Sequence, residues 1–237
     1  TLKDGWLIGR GVQDDKGPSL AALYAVKSLL DQGVVFTKRI RFIFGTDEET
    51  LWRCMNRYNQ IEEKADLGFA PDSSFPLTYA EKGLLQVKLH GPGWEDRPLQ
   101  AGRALNVVPD KATYKGDRLE ELLPVIEQSG VKYSEEAGAV TVLGLSKHSK
   151  DSAEGVNAIV GLAESLSLIQ PHPALLFIAD AVGEDATGAA LFGEIKDEPS
   201  GALSFNIATL FIDKERSEIG IDIRIPVLAD KDALVAR

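Results

Sequence analysis

Three short acidic stretches carry side chains that could do hydrolytic chemistry. They are Asp14 and Asp15 in GRGVQDDKG, Asp47, Glu48 and Glu49 in FGTDEET, and Asp72 in APDSSFP. Carboxylates gathered without counter-charge repel one another and raise each other's pKa, and a divalent cation removes that repulsion. Within the Glu48–Glu49 pair, extended backbone sends successive side chains to opposite sides. One carboxylate can then ligate a cation while its neighbour faces an attacking water as general base. Each stretch alone also reads as local structure. Asp15 would favour a helix N-terminus, Thr46 or Asp47 would cap a helix, and PDSSFP would be a plain turn.

Composition narrows the chemistry. The chain has 237 residues, with 26 Lys plus Arg against 36 Asp plus Glu, a formal net charge of −10. That balance argues against a nucleic-acid footprint. Cys54 is the only cysteine, which excludes an internal disulfide framework and a Cys-based zinc ribbon. The only histidines are His90, His148 and His172, so carboxylates must supply most ligands of any bound metal. No apolar run reaches the ~18 residues of a membrane span. GRGVQDDKGP lacks both the Gly-Lys-Ser/Thr of a phosphate loop and the third glycine of a dinucleotide fingerprint. A magnesium-dependent phosphohydrolase is disfavoured for the same reason: nothing cradles phosphate.

The elements that must position these residues alternate over the first ~90 residues. Trp6 to Ile8 reads as a core strand, and Pro18 to Leu30 as a helix closed by Gly33. Arg39 to Phe44 reads as a strand with Ile40, Phe42 and Phe44 on one face. Thr50 to Lys64 reads as a helix, and Leu67 to Ala70 and Leu84 to Leu89 as strands. This order predicts an α/β layer with some parallel pairing. It puts all three acidic stretches just beyond strand ends, where open α/β sheets bind ligands. GPGWEDRP, residues 91–98, reads as a connection and domain boundary. Beyond it, 104–112 is extended, 118–128 helical with Leu119, Leu122, Leu123 and Ile126 on one stripe, 140–145 a strand, and 155–168 and 175–182 helices. Residues 203–212 and 219–225 alternate as two strands of a hairpin. The chain opens on what reads as mid-domain sequence and ends in DKDALVAR, the first turns of a helix, so we expect an internal piece of a longer protein.

GRGVQDDKG, FGTDEET and APDSSFP, in this order and at these separations, resemble the dinuclear zinc peptidases related to carboxypeptidase G, aminoacylase and succinyl-diaminopimelate desuccinylase. The likeness is strongest to bacterial dipeptidases of the PepV type and to carnosinase-like dipeptidases. It extends through EKG at Glu81, NVVPDKA at Asn106, EGVNA at Glu154 and IDIRIP at Ile221. It implies a zinc-exopeptidase-like catalytic α/β sheet, incomplete here, over residues 1–90, and an inserted α+β lid domain over 91–237, its end returning toward the catalytic part. It implies hydrolysis of dipeptides or short peptides by zinc-activated water. Asp14 would bridge two zinc ions, with manganese or cobalt as substitutes, Glu49 and Asp72 would each ligate one, and Glu48 would be the general base. His148 would be the lid histidine near the scissile carbonyl, and Asn106 and Arg224 would hold substrate. A cis peptide between Asp14 and Asp15 is implied too.

The resemblance has gaps. The family's two histidine ligands have no counterpart in this sequence, and Leu51 stands where glycine is usual. The chain as given is therefore expected to be a poor catalyst, with apolar surface exposed beside Ile40, Phe42 and Phe44. A monomeric cytoplasmic parent enzyme acting on short peptides is expected, with no nucleic-acid or membrane partner. The rival readings are a non-catalytic domain that keeps the fold and an amidase of the same family acting on N-acyl amino acids. His90 and His172 read as structural.

Overall fold

The computed structural model describes residues 1–48, 52–73 and 76–236. The chain forms two compact units, Thr1–Thr78 and Tyr79–Arg237. Among the described residues, no helix is long and apolar enough to cross a membrane.

The first unit opens with a hairpin of β1 (Leu2–Lys3) and β2 (Trp6–Leu7), paired antiparallel. Its turn is Asp4-Gly5, both at positive φ (51° and 81°), the conformation that a tight two-residue hairpin demands. An irregular turn, Val12–Lys16, leads into α1 (Gly17–Asp31). Pro18 lies in its first turn, and Gly33 follows its end at φ 81°. The second helix, α2 (Arg53–Ile61), is shorter than the 50–64 expected, and Thr50 and Leu51 lie outside the described residues.

Several strand expectations for this unit are corrected. Trp6 does sit in a strand, but it is 74% exposed and not core. Residues 39–44 and 67–70 form no strand. The alternation of Ile40, Phe42 and Phe44 survives as a same-side placement, with the Phe42 and Phe44 rings stacked 6.5 Å apart. A period-two pattern becomes a strand only through a hydrogen-bonded neighbour, and none pairs with this stretch among the described residues. Ile40, Phe42 and Phe44 are 44%, 37% and 69% exposed, and no described residue of the unit is fully buried.

The second unit holds the core. In chain order it comprises β3 (Gly83–Pro92), β4 (Leu99–Ala101), β5 (Lys111–Tyr114), α3 (Leu119–Ser129), β6 (Tyr133–Glu136), β7 (Ala139–Leu143), α4 (Ala158–Ile169) and α5 (Pro173–Leu176). It continues with α6 (Ala189–Phe192), β8 (Lys196–Asp197), β9 (Gly201–Ala202), β10 (Ser204–Ile212), β11 (Arg216–Ile225) and α7 (Lys231–Val235). The strands make a four-stranded sheet β3-β11-β10-β4, a three-stranded sheet β5-β7-β6 and the pair β8-β9. Every pair is antiparallel, so the parallel pairing expected from the strand–helix alternation does not occur among the described residues.

Period-two patterning divides the large sheet. Ile219, Ile221, Ile223 and Ile225 of β11 enter the core with Phe205 and Ile207 of β10. Helix α4, AIVGLAESLSLI, is apolar nearly all round because it packs against α3 and against strands of both larger sheets. On α3 the expected stripe is present, with Leu122 and Ile126 fully buried. The 91–98 stretch begins inside β3, and its Trp94 and Asp96 are buried. Asp96 accepts hydrogen bonds from Tyr114 Oη, from Arg97 N (2.7 Å) and from Asp117 N (3.0 Å). His172 is structural, as expected: its Nδ1 accepts from Ala174 N at 3.2 Å and so caps α5.

Candidate active site

In the first unit the local structure around Asp14 is specific. Gly11 is left-handed (φ 66°), Lys16 N donates to Gly11 O at 2.9 Å, and Lys16 Nζ donates to Arg10 O at 3.0 Å. Gly17 must lack a side chain, because a Cβ there would lie 2.6 Å from Val12 O. The Asp14–Asp15 peptide is cis, as the resemblance implied. A recess of about 400 Å³ opens against residues 9–14 and reaches Asp14. Asp15 Oδ2 accepts from Ser19 Oγ at 3.3 Å, while its Oδ1 is buried with no hydrogen-bond partner.

The other acidic residues divide between scaffold and surface. Asp47 is scaffold: its carboxylate takes Arg53 N (3.0 Å) and Arg53 Nε (2.8 Å) at the start of α2, the capping role weighed for it above. Glu48 and Asp72 are exposed, as is Asp14. Glu49 lies outside the described residues. Among the described residues no three His, Cys, Asp or Glu side chains gather into a metal-holding group. With Glu49 outside that set, the expected trio is represented by Asp14 and Asp72. The donors are hard carboxylate oxygens, and the buried Asp15 Oδ1 without a partner adds an uncompensated acceptor beside Asp14. Oxygen donors of this type suit hard divalent cations, but the described carboxylates do not gather into a set that would hold one.

In the second unit the expected catalytic His148 and the expected substrate-binding Asn106 and Arg224 share one end of the large sheet. They lie on the face opposite the isoleucines. Asn106 and His148 come from two chain segments fastened to each other. Ser149 N donates to Asn106 O at 2.9 Å, Val108 N to Lys147 O at 2.8 Å, and Val107 forms a bridge with His148. The sheet holds both segments. Asn206 Nδ2 donates to Val107 O (3.0 Å) and Ser149 Oγ (2.9 Å), and Ser204 Oγ donates to Lys150 O (2.8 Å). Asn206 is itself oriented by Asn157, whose Nδ2 donates to its Oδ1 at 3.1 Å. Arg224 forks onto Asp222, with Nε to Oδ1 at 2.7 Å and Nη2 to Oδ2 at 3.3 Å.

These contacts set the state of His148. Its Nδ1 accepts from Lys150 N at 3.2 Å, so the neutral ring carries its proton on Nε2, a donor facing away from the backbone. Its pKa is lowered by burial first, then by the charges of Arg224 and Lys150, against an opposing pull from Asp222 and Asp151. Burial and charge thus favour the neutral donor.

Asn206, Asp222, Asn157 and Ser149 were not singled out by sequence reasoning. The available signal was a polar residue interrupting an apolar strand, as in SFNIATLFI and IGIDIRI.

Comparison with known proteins agrees with the motif resemblance. The sequence profile of Peptidase family M20/M25/M40 matches residues 1–202, and the chain belongs to that family. It is 35% identical to "Putative dipeptidase YtjP" of Bacillus subtilis (strain 168), over 98% of this chain and 55% of that protein. It is 34% identical to "Putative dipeptidase MW1694" of Staphylococcus aureus (strain MW2), over 93% of this chain and 52% of that protein. The chain thus spans about half the length of the curated relatives it matches.

Proposed function

We propose that the chain carries the cation-binding carboxylates and the substrate-holding groups of a dipeptidase, a hydrolase of dipeptides and short peptides. The observation that most supports this is the gathering of Asn106, His148 and Arg224, more than a hundred residues apart at the extremes, on one end of one sheet face. Residues around 1–90 would belong to the catalytic part and 91–237 to a lid that holds substrate, in a monomeric, cytoplasmic parent enzyme. Asp14, Glu49 and Asp72 would hold the divalent ions, zinc first among them. When bound, these ions supply Lewis acidity. Glu48 takes the proton of the attacking water. His148 donates its Nε2 hydrogen to the carbonyl oxygen as negative charge develops there. Arg224 pairs with the carboxylate at the peptide's C-terminus through its planar fork, and Asn106 hydrogen-bonds the peptide backbone.

The test is Glu48→Gln in the full-length, metal-loaded enzyme. The change keeps the shape and removes the base. We expect kcat on dipeptides to fall by about 10²–10⁴-fold with metal content unchanged. Unchanged turnover would refute the assignment of Glu48. Faster hydrolysis of N-acyl amino acids than of dipeptides by the wild type would favour the amidase reading.

A further inference from the structure

We propose that Asp222 is a positioning residue that aims Arg224 at the substrate carboxylate; this rests on the role given to Arg224 above. Asp222 is completely buried in the middle of β11, between Ile221 and Ile223. Its register partners are Gln86 on β3 and Asn206 on β10, so three polar side chains form one row across three strands. Gln86 Nε2 donates to Asp222 Oδ2 at 3.1 Å, and Arg224 supplies two further donors. A buried carboxylate persists only when paired and hydrogen-bonded, and buried ion pairs rarely stabilise a fold beyond what apolar residues of the same volume provide. An apolar pair would suit a strand of isoleucines, so fold stability does not account for this one.

The pairing geometry supplies the account. Asp222 occupies the side of the guanidinium formed by Nε and Nη2. Nη1 makes no hydrogen bond to any described residue, and the Arg224 side chain is 18% exposed. A guanidinium has five donors in a rigid plane, so fixing one side leaves the end formed by Nη1 and Nη2 for a second carboxylate. Asp222 is held by Gln86 in turn, which locks the direction in which that end points. Next in the row, Asn206 fastens the segments carrying Asn106 and His148.

The experiment compares a dipeptide with its C-terminal amide in the full-length, metal-loaded enzyme, using Asp222→Asn, Arg224→Ala and the double variant. We expect Asp222→Asn to raise KM for the free-carboxylate dipeptide about tenfold, with kcat within about twofold and KM for the amide unmoved. In the Arg224→Ala background it should add nothing. Arg224→Ala penalising the carboxylate substrate while Asp222→Asn has no effect, affects both substrates equally, or adds in full would overturn the proposal and leave Arg224's role standing. No selective penalty from Arg224→Ala would overturn both. Should Asp222→Asn fail to fold, Gln86→Leu decides instead: a selective KM rise of about threefold supports the positioning role, and none overturns it.

Discussion

At the scale of the residue, His148 is the most informative side chain. Its fold-given hydrogen bond from Lys150 N fixes the tautomer, while burial, Arg224 and Lys150 hold its pKa below the ordinary histidine value. In an NMR titration His148 should therefore have its midpoint below about 6.5, and Arg224→Ala should move that midpoint upward. The consequence for stability follows by linkage. Between the lowered value and the ordinary one, the folded state binds fewer protons than the unfolded state, so stability rises with pH through that window and is complete above it. A midpoint unmoved by Arg224→Ala would mean that the guanidinium does not act on the ring. From sequence alone His148 sat in a lysine-flanked loop, and it is exposed in the structure as that position suggests. The motif resemblance singled it out, because Asn206, which fastens the segments around it, and Arg224, whose charge acts on the ring, lie nearly sixty and eighty residues away.

At the scale of the element, Asn157 links a helix to the site. Its Oδ1 caps α4 by accepting from Ile159 N (3.0 Å) and Val160 N (3.3 Å). Its Nδ2 reaches Asn206 Oδ1 and Ile207 O, the latter at 2.7 Å. Asn157→Ala loses the cap, about 1 kcal/mol, and strands two part-buried acceptors at about 1–3 kcal/mol more. Urea unfolding should show a loss of roughly 2–4 kcal/mol, beyond what a cap alone provides. Elements whose signals are local were legible in this way. Pro18 and Gly33 bracket α1 as read from the sequence, whereas Asp230, which caps α7 through Asp232 N and Ala233 N, and Asp213, which closes the β10–β11 hairpin by accepting from Glu215 N and Arg216 N, were given no role there. Strand 39–44 was misread because alternation reports a face and says nothing of a neighbour. The register shift between Ile207 and Thr209 left no trace in composition.

At the scale of the whole molecule, the two units differ in what holds them. Among the described residues, every buried residue of the hydrophobic core lies between Trp94 and Leu234, within the second unit. The first unit exposes Val35, Leu67 and Phe69 almost fully. We expect residues 79–237 made alone to keep the main cooperative unfolding transition of the 237-residue chain. A hydrophobic dye should bind the longer chain more strongly. Calorimetry and dye fluorescence on the two chains check this, and loss of the transition in the shorter one would contradict it. The candidate site was legible to the same uneven degree. Carboxylates and their order were visible as motifs, whereas the Gln86–Asp222–Asn206 row exists only once three distant strands are side by side.

The pairing of β3 with β11 also sets an order of events in time. Gly83 meets Ile225 and Pro92 meets Arg216, so the two strands are separated by residues 93–215, a loop that must close before the first contact forms. On a ribosome adding roughly 5–20 residues per second, β3 is made roughly 6–25 s before its partner exists. During that interval a ten-residue strand bearing Leu84, Leu85, Val87 and Leu89 has both backbone edges unoccupied. The nascent chain is thus vulnerable between the making of β3 and the making of β11, whose arrival covers one of β3's two edges.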